Sequence, residues 1–283
     1  MEWIIDGATA YAYTGGKMFN PSLPCVMLIH GAQNDHSVWA LQSRYLAHHG
    51  YGVLALDLPG HGNSTGAPLA SIEALAQWMV KVQDAAGVTR AALVGHSMGS
   101  LVALEAASLA PERVSHLALF GTAFPMKVSD ALLASAASDD KAAMDMVTPW
   151  LQYGIAQKPG CPGPGSYLPA AQRRLMQRIA ARNPAYPVYL TDFTACNAYA
   201  NGLTAAGKIR CPTLFVSGAC DVMTPARAAQ GLVAAMREAG VTVREQVLAE
   251  CGHSLMAEQP DQVLRILLAA LQTKQSESPR PNE

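Results

Sequence analysis

Six short runs rich in Val, Leu and Ile recur along the chain, separated by longer stretches with helical periodicity, and this alternation limits the fold more than any single motif. The runs cover residues 25–30, 52–58, 90–95, 114–121, 212–218 and 243–248. All but the last, which carries Arg244, Glu245 and Gln246, are apolar nearly throughout rather than on alternate positions, as expected for strands covered on both faces. Between them lie helical patterns at 37–49, 71–86, 98–110, 225–239 and 260–272. Strand and helix in strict turn call for a mostly parallel sheet with helices on both sides. Residues 2–14 read as an antiparallel hairpin at its edge.

One region interrupts the alternation. From 124 to 207 there is no convincing strand, only helical patterns at 129–147, 170–181 and 189–200 and a Gly/Pro-rich turn segment at 159–165. The simplest organisation is a core built from 1–123 and 208–273, with 124–207 inserted as a helical lid. The polar, Pro-containing tail 274–283 is expected to be disordered.

With 283 residues, half of them apolar and 14% charged, the chain can bury a large core. A net charge of −1 and scattered basic residues argue against a nucleic-acid partner. The first residues carry acids where an export signal needs bases, and no run approaches membrane-spanning length. A cytoplasmic protein without a membrane partner is expected. The six cysteines (25, 161, 196, 211, 220 and 251) show no Cys-x-x-Cys pair and read as free, mostly buried thiols.

Chemistry enters at Gly95-His96-Ser97-Met98-Gly99, which follows one strand pattern directly and opens the next helix. A serine on so sharp a turn presents its hydroxyl above the sheet, and the flanking glycines let the chain fold back without a clash. The amide of Met98 lies at a helix N-terminus, where unpaired N–H groups can stabilise an oxyanion. A serine hydroxyl is a poor nucleophile near neutral pH, so it needs a base, and the base an orienting acid. Two loops at the ends of later strands supply candidates: Asp221 after residues 212–218 and His253 after 243–248.

Ser97 in Gly-His-Ser-Met-Gly, Asp221 after the next-to-last strand and His253 after the last resemble the alpha/beta-hydrolase superfamily. His30-Gly31-Ala32 resembles its oxyanion loop, and the segment from Asp57 to Ser64 its fourth-strand turn. The resemblance covers roughly 20–123 and 205–272 and leaves out the lid. It implies an α/β fold with an eight-stranded, mostly parallel sheet, a Ser97–His253–Asp221 triad, and an oxyanion hole from the amides of Met98 and Ala32. A serine at the elbow, where dehalogenases and epoxide hydrolases of the superfamily carry aspartate, implies acyl chemistry on an ester, lactone or thioester. A carbon-carbon bond hydrolase or perhydrolase, or a ligand sensor that keeps the triad, are the alternatives.

Met126, Trp150, Tyr189, Phe193, Met223 and Met256 are candidates for lining a pocket for a small, largely apolar substrate, or else for packing lid against core. His30 reads as a residue tying down the oxyanion loop, Asp35 as a helix N-cap and His61 as a solvated turn histidine. His48 and His49 suit a helix C-terminus. Arg173, Arg174, Arg178 and Arg182 recur at helical spacing and read as a solvated face. No spacing suggests a metal site or a dinucleotide loop, so no cofactor is expected.

Overall fold

Residues 1–153 and 167–272 are described by a computed structural model. The 159–165 turn segment, Cys161 and the 274–283 tail lie outside the described residues. The opening hairpin is present as β1 (Glu2–Ile5) and β2 (Ala8–Tyr13), which pair antiparallel. The six runs become β3 (Cys25–Ile29), β4 (Gly52–Asp57), β5 (Ala91–His96), β6 (Val114–Phe120), β7 (Thr213–Gly218) and β8 (Val243–Leu248). They form one eight-stranded sheet in the order β1-β2-β4-β3-β5-β6-β7-β8, parallel from β4 to β8.

Strand period dictates how the core divides. Met27, Leu54, Leu93 and Leu117 face one apolar cluster, while their neighbours Leu28, Ala55, Val94 and Ala118 face another. Helices α1 (Ala40–His48), α2 (Ile72–Ala85) and α3 (Met98–Leu109) follow β3, β4 and β5. The first is led in by a 3-10 turn capped by Asp35, whose carboxylate accepts from the Ser37 amide at 2.9 Å. On one face α2 and α3 close the first cluster; on the other α1 closes the second.

The stretch between β6 and β7 builds α4 (Asp130–Ser138), α5 (Asp140–Val147), α6 (Leu168–Arg182), α7 (Val188–Ala198) and α8 (Gly202–Gly207). The single helix expected over 129–147 is two. Asp139 takes an extended conformation and caps the second, accepting from the amides of Lys141 and Ala142, so a side chain competes with the backbone ladder and breaks it. Leu132, Met144, Met176, Tyr189 and Phe193 make a separate apolar cluster over the ends of the strands. The end of α7 and one side of α8 behave otherwise: Cys196, Ala205 and Ala206 pack into the same cluster as α3. After β7 come α9 (Gln230–Glu238) and, after β8, α10 (Leu255–Glu258) and α11 (Pro260–Leu271). Among the described residues no helix is long and apolar enough to cross a membrane.

Candidate active site

β5 ends at His96 and α3 begins at Met98, which leaves Ser97 alone to turn the chain. Its backbone sits at φ 53°, ψ −121°, a conformation costing a non-glycine residue about 1–3 kcal/mol. Neighbouring bonds hold it there. The Ser97 amide donates to the Phe120 carbonyl at 2.9 Å, and the Ser97 carbonyl accepts from the Ser100 amide and hydroxyl at 2.8 and 2.6 Å. The glycines are required by close approach: a Cβ on Gly95 would collide with the Gly99 carbonyl, and one on Gly99 with the carbonyls of Ile29 and His30. As the first residue of α3, Met98 has an N–H outside the helix's own ladder.

The loops after β7 and β8 bring Asp221 and His253 together. His253 Nδ1 lies 2.8 Å from Asp221 Oδ2, with both side chains buried. The other oxygen, Oδ1, accepts from the amides of Met223 and Thr224, each at 2.9 Å. The Thr224 hydroxyl donates to Oδ2 at 2.7 Å and lies 3.0 Å from His253 Nδ1. Burial opposes ionisation of Asp221, but the adjacent His253 and these hydrogen bonds outweigh it and hold the carboxyl well below the usual range. With Nδ1 engaged by a carboxylate, Nε2 is the nitrogen left for proton transfer.

His96 carries no sequence signal beyond its place in the elbow, yet it ties down the loop of His253. Its Nε2 lies 2.8 Å from the carbonyl of His253, which can only accept, so Nε2 carries the proton. Burial pushes its pKa down to about 3, keeping the ring neutral.

On the opposite side stands the loop after β3. His30 Nδ1 donates to the Gly31 carbonyl at 2.8 Å while Nε2 accepts from the Leu58 amide at 3.0 Å, which fixes its tautomer. Burial pushes His30 down to about 4. Next to Ala32, Gln33 adopts φ 54° and donates its amide to Asp192 of α7 at 2.8 Å. His61 is not the solvated turn residue expected. It is 1% exposed, with Nε2 2.8 Å from the same oxygen of Asp192. Its partner lies 131 residues away in sequence, beyond the reach of local pattern.

A cavity of about 440 Å³, within the usual range for small-molecule sites, is lined by Ser97 and His253 together with Ala32. Tyr189, Phe193, Met223 and Met256 also line it. Met126 and Trp150 do not: Met126 packs into the core cluster with α3, and Trp150 is 40% exposed. Arg178 reaches the cavity wall but pairs with Asp35 at 2.7 Å. The arginine row is solvent-facing, with Arg174, Arg178 and Arg182 exposed and Arg173 half-buried, although Arg173 pairs with Asp145 and Arg182 donates to the Gly62 carbonyl. Among the described residues, one set of donors could share a cation: Asp35, His36 and Asp57. Its atoms are taken up by the protein, with Asp57 accepting from the His36 amide, the His36 ring and the Asn63 amide.

Residues 26–266 match the sequence profile of the alpha/beta hydrolase family. Among characterised relatives, the dihydrolipoyllysine-residue acetyltransferase component of the acetoin cleaving system of Pseudomonas putida is 38% identical over 99 residues, 35% of this chain and 26% of that protein. The chain thus spans about a quarter of the length of that relative. The (E)-2-((N-methylformamido)methylene)succinate hydrolase of Acinetobacter baylyi is 26% identical over 206 residues, 69% of this chain and 72% of its own. In structure, the enol-lactonase of Burkholderia xenovorans LB400 superposes with a TM-score of 0.79 at 22% identity, covering 96% of this chain and 100% of that one.

Proposed function

Because the chain belongs to the alpha/beta hydrolase family, we propose that it is a serine hydrolase that cleaves an ester-like bond of a small, largely apolar substrate through an acyl-enzyme on Ser97. One observation carries this reading. The strained elbow serine and the imidazole of His253 open on the same cavity, and the far nitrogen of that imidazole is held by an ionised, buried carboxylate.

In this mechanism the Ser97 hydroxyl attacks the substrate carbonyl as its proton passes to His253 Nε2. Asp221 stabilises the imidazolium and keeps the ring in register, with Thr224 bracing both. The amides of Met98 and Ala32 receive the negative oxygen. His253 then protonates the leaving group, and a water activated by the same nitrogen attacks the acyl-enzyme. The helical insertion acts as a lid whose apolar and aromatic side chains hold the acyl chain. In place of the cationic wall that a dienoate acid would require, the cavity offers one guanidinium among its described lining residues, already paired with Asp35.

The test is Ser97→Ala, assayed against a panel of esters, thioesters and lactones and challenged with a serine-directed phosphonate. Turnover and labelling both disappear while the fold is retained. Labelling that persists in the variant overturns the assignment.

A further inference from the structure

Three buried side chains meet where the helical insertion touches the sheet's loops, one at the cavity wall (Gln33) and two behind it (Asp192 and His61). Asp192 of α7, Gln33 of the loop after β3 and His61 of the turn after β4 are each 1% exposed. Asp192 Oδ2 receives both the Gln33 amide and the His61 ring, each at 2.8 Å. On the other side of its ring, His61 Nδ1 lies 3.0 Å from the Pro59 carbonyl, which can only accept. Both ring nitrogens therefore face acceptors, and an imidazole satisfies both only when it carries two protons. The proton shared with Asp192 belongs to the more basic ring. The result is a buried imidazolium–carboxylate pair, with Asp57 and the neutral ring of His30 as the other titratable groups facing His61.

Such a pair is a poor source of stability compared with apolar side chains of equal volume, but it fixes geometry. The geometry at stake is that of Gln33. Its φ of 54° is disfavoured for a residue with a side chain and persists only where the surroundings hold it. Both hydrogen bonds recorded for Gln33 go to the insertion: its amide to Asp192, and its side chain to the Met176 carbonyl of α6 at 3.2 Å. Ala32, immediately before it, lines the cavity beside Ser97, whereas Asp192 and His61 do not.

We propose that Asp192, charge-balanced by His61, is a positioning residue for oxyanion stabilisation, holding Gln33 in its left-handed turn and thereby aiming the amide of Ala32 at the reacting carbonyl. This rests on the serine-hydrolase reading above. It means that the insertion does more than cover the substrate: it completes the catalytic loop from behind.

The experiment is a steady-state comparison of wild type, Asp192→Asn, His61→Gln and Asp192→Asn/Gln33→Gly on one nitrophenyl ester, with Ser97→Ala in parallel. Asp192→Asn lowers kcat roughly 10- to 100-fold, less than the full loss of an oxyanion donor, and leaves KM within about twofold. His61→Gln follows in the same direction. Glycine adopts positive φ without penalty, so the double variant recovers part of the lost kcat. A kcat for Asp192→Asn within twofold of wild type, or a double variant no better than the single one, overturns the proposal. If Asp192→Asn does not fold, hydrogen exchange of the wild-type Gln33 amide decides: protection comparable to the central strands supports the hold, and exchange at the rate of an open loop overturns it. Ser97→Ala keeps the two ideas apart, because activity in that variant sinks the nucleophile assignment whatever Asp192 does.

Discussion

The two walls of the cavity are held by different physics. On the sheet side, Ser97, Asp221 and His253 sit within a residue or a few of strand ends, fixed by short hydrogen bonds to backbone groups of the same or adjacent loops. On the helical side, Tyr189 and Phe193 are held mainly by packing against Leu132, Met144 and Met176. The insertion's polar ties run outward to loops of the sheet: Asp192 to Gln33 and His61, Arg178 to Asp35, Arg182 to the Gly62 carbonyl, and the Leu151 carbonyl to the Ser254 amide. Directional bonds can hold reacting atoms to fractions of an ångström, whereas apolar packing tolerates substitution of similar volume. Changes on the sheet side should therefore act on kcat, and changes on the helical side on substrate choice.

Short of the complete loss expected for Ser97→Ala, the largest effect is expected from Asp221→Asn. It removes the charge that orients His253 and admits the wrong tautomer, so kcat should fall on the order of ten-thousandfold with KM little changed. A near-normal rate would mean that another acid serves. Thr224→Val, which removes a hydroxyl bonded to Asp221 but leaves the carboxylate's backbone donors in place, should cost roughly 1 kcal/mol, about a fivefold loss in rate. Equal losses from the two variants would contradict the hierarchy.

Two substitutions sharpen the contrast between the walls. For a series of nitrophenyl esters, kcat/KM should rise by up to roughly fourfold per methylene until the cavity is full. Phe193→Leu, in the cavity wall, should move the optimum to longer chains at about 1 kcal/mol of stability. Met126→Trp, which overpacks the core cluster, should cost roughly 1–3 kcal/mol and leave the chain-length profile in place. If Met126→Trp shifted the profile and Phe193→Leu did not, the assignment of the walls would be reversed.

The smallest effect on the site, though not on the fold, concerns acid. His30 and His96 have folded pKa values lowered to about 4 and about 3. Below the unfolded value of about 6.5, the unfolded chain takes up protons that these buried rings refuse, so stability falls as pH drops from there toward 4. Each contributes on the order of 3 kcal/mol of that loss at pH 4. His61, whose folded value is raised, acts in the opposite sense: its contribution is fully present below about 6.5 and is lost as pH rises through the folded value. Urea midpoints that stay flat between pH 6.5 and 4 would contradict the burial of the two neutral rings.

Much of the sheet side was legible in the sequence because its constraints are local. A strand buried on both faces must be apolar throughout, and a serine forced to positive φ between strand and helix needs small neighbours, so residues 91–99 carry their geometry in their own composition. The helical side was less legible. Within 129–147 the polar run Ser138-Asp139-Asp140-Lys141 is short enough to read as the exposed face of one continuous helix, and only the Asp139 cap shows that it divides α4 from α5. Met126 and Phe193 look alike as apolar residues, and only tertiary packing sends one to the core and the other to the cavity. His61 is polar in a glycine-rich turn, a pattern that reads as solvent-facing until Asp192, 131 positions later, folds over it. The meeting of Asp221 after β7 with His253 after β8 was readable from their place at strand ends, but Thr224 and His96, which touch them, carry no signature beyond adjacency.

Quenching a nitrophenyl ester reaction with acid in its first turnovers and mapping the adduct by peptide mass spectrometry tests the central claim most directly. The mechanism predicts that a mass equal to the acyl group appears on the peptide containing Ser97, builds up within the first turnover and disappears as substrate is exhausted. Turnover without an adduct, or an adduct on any other residue, would contradict it.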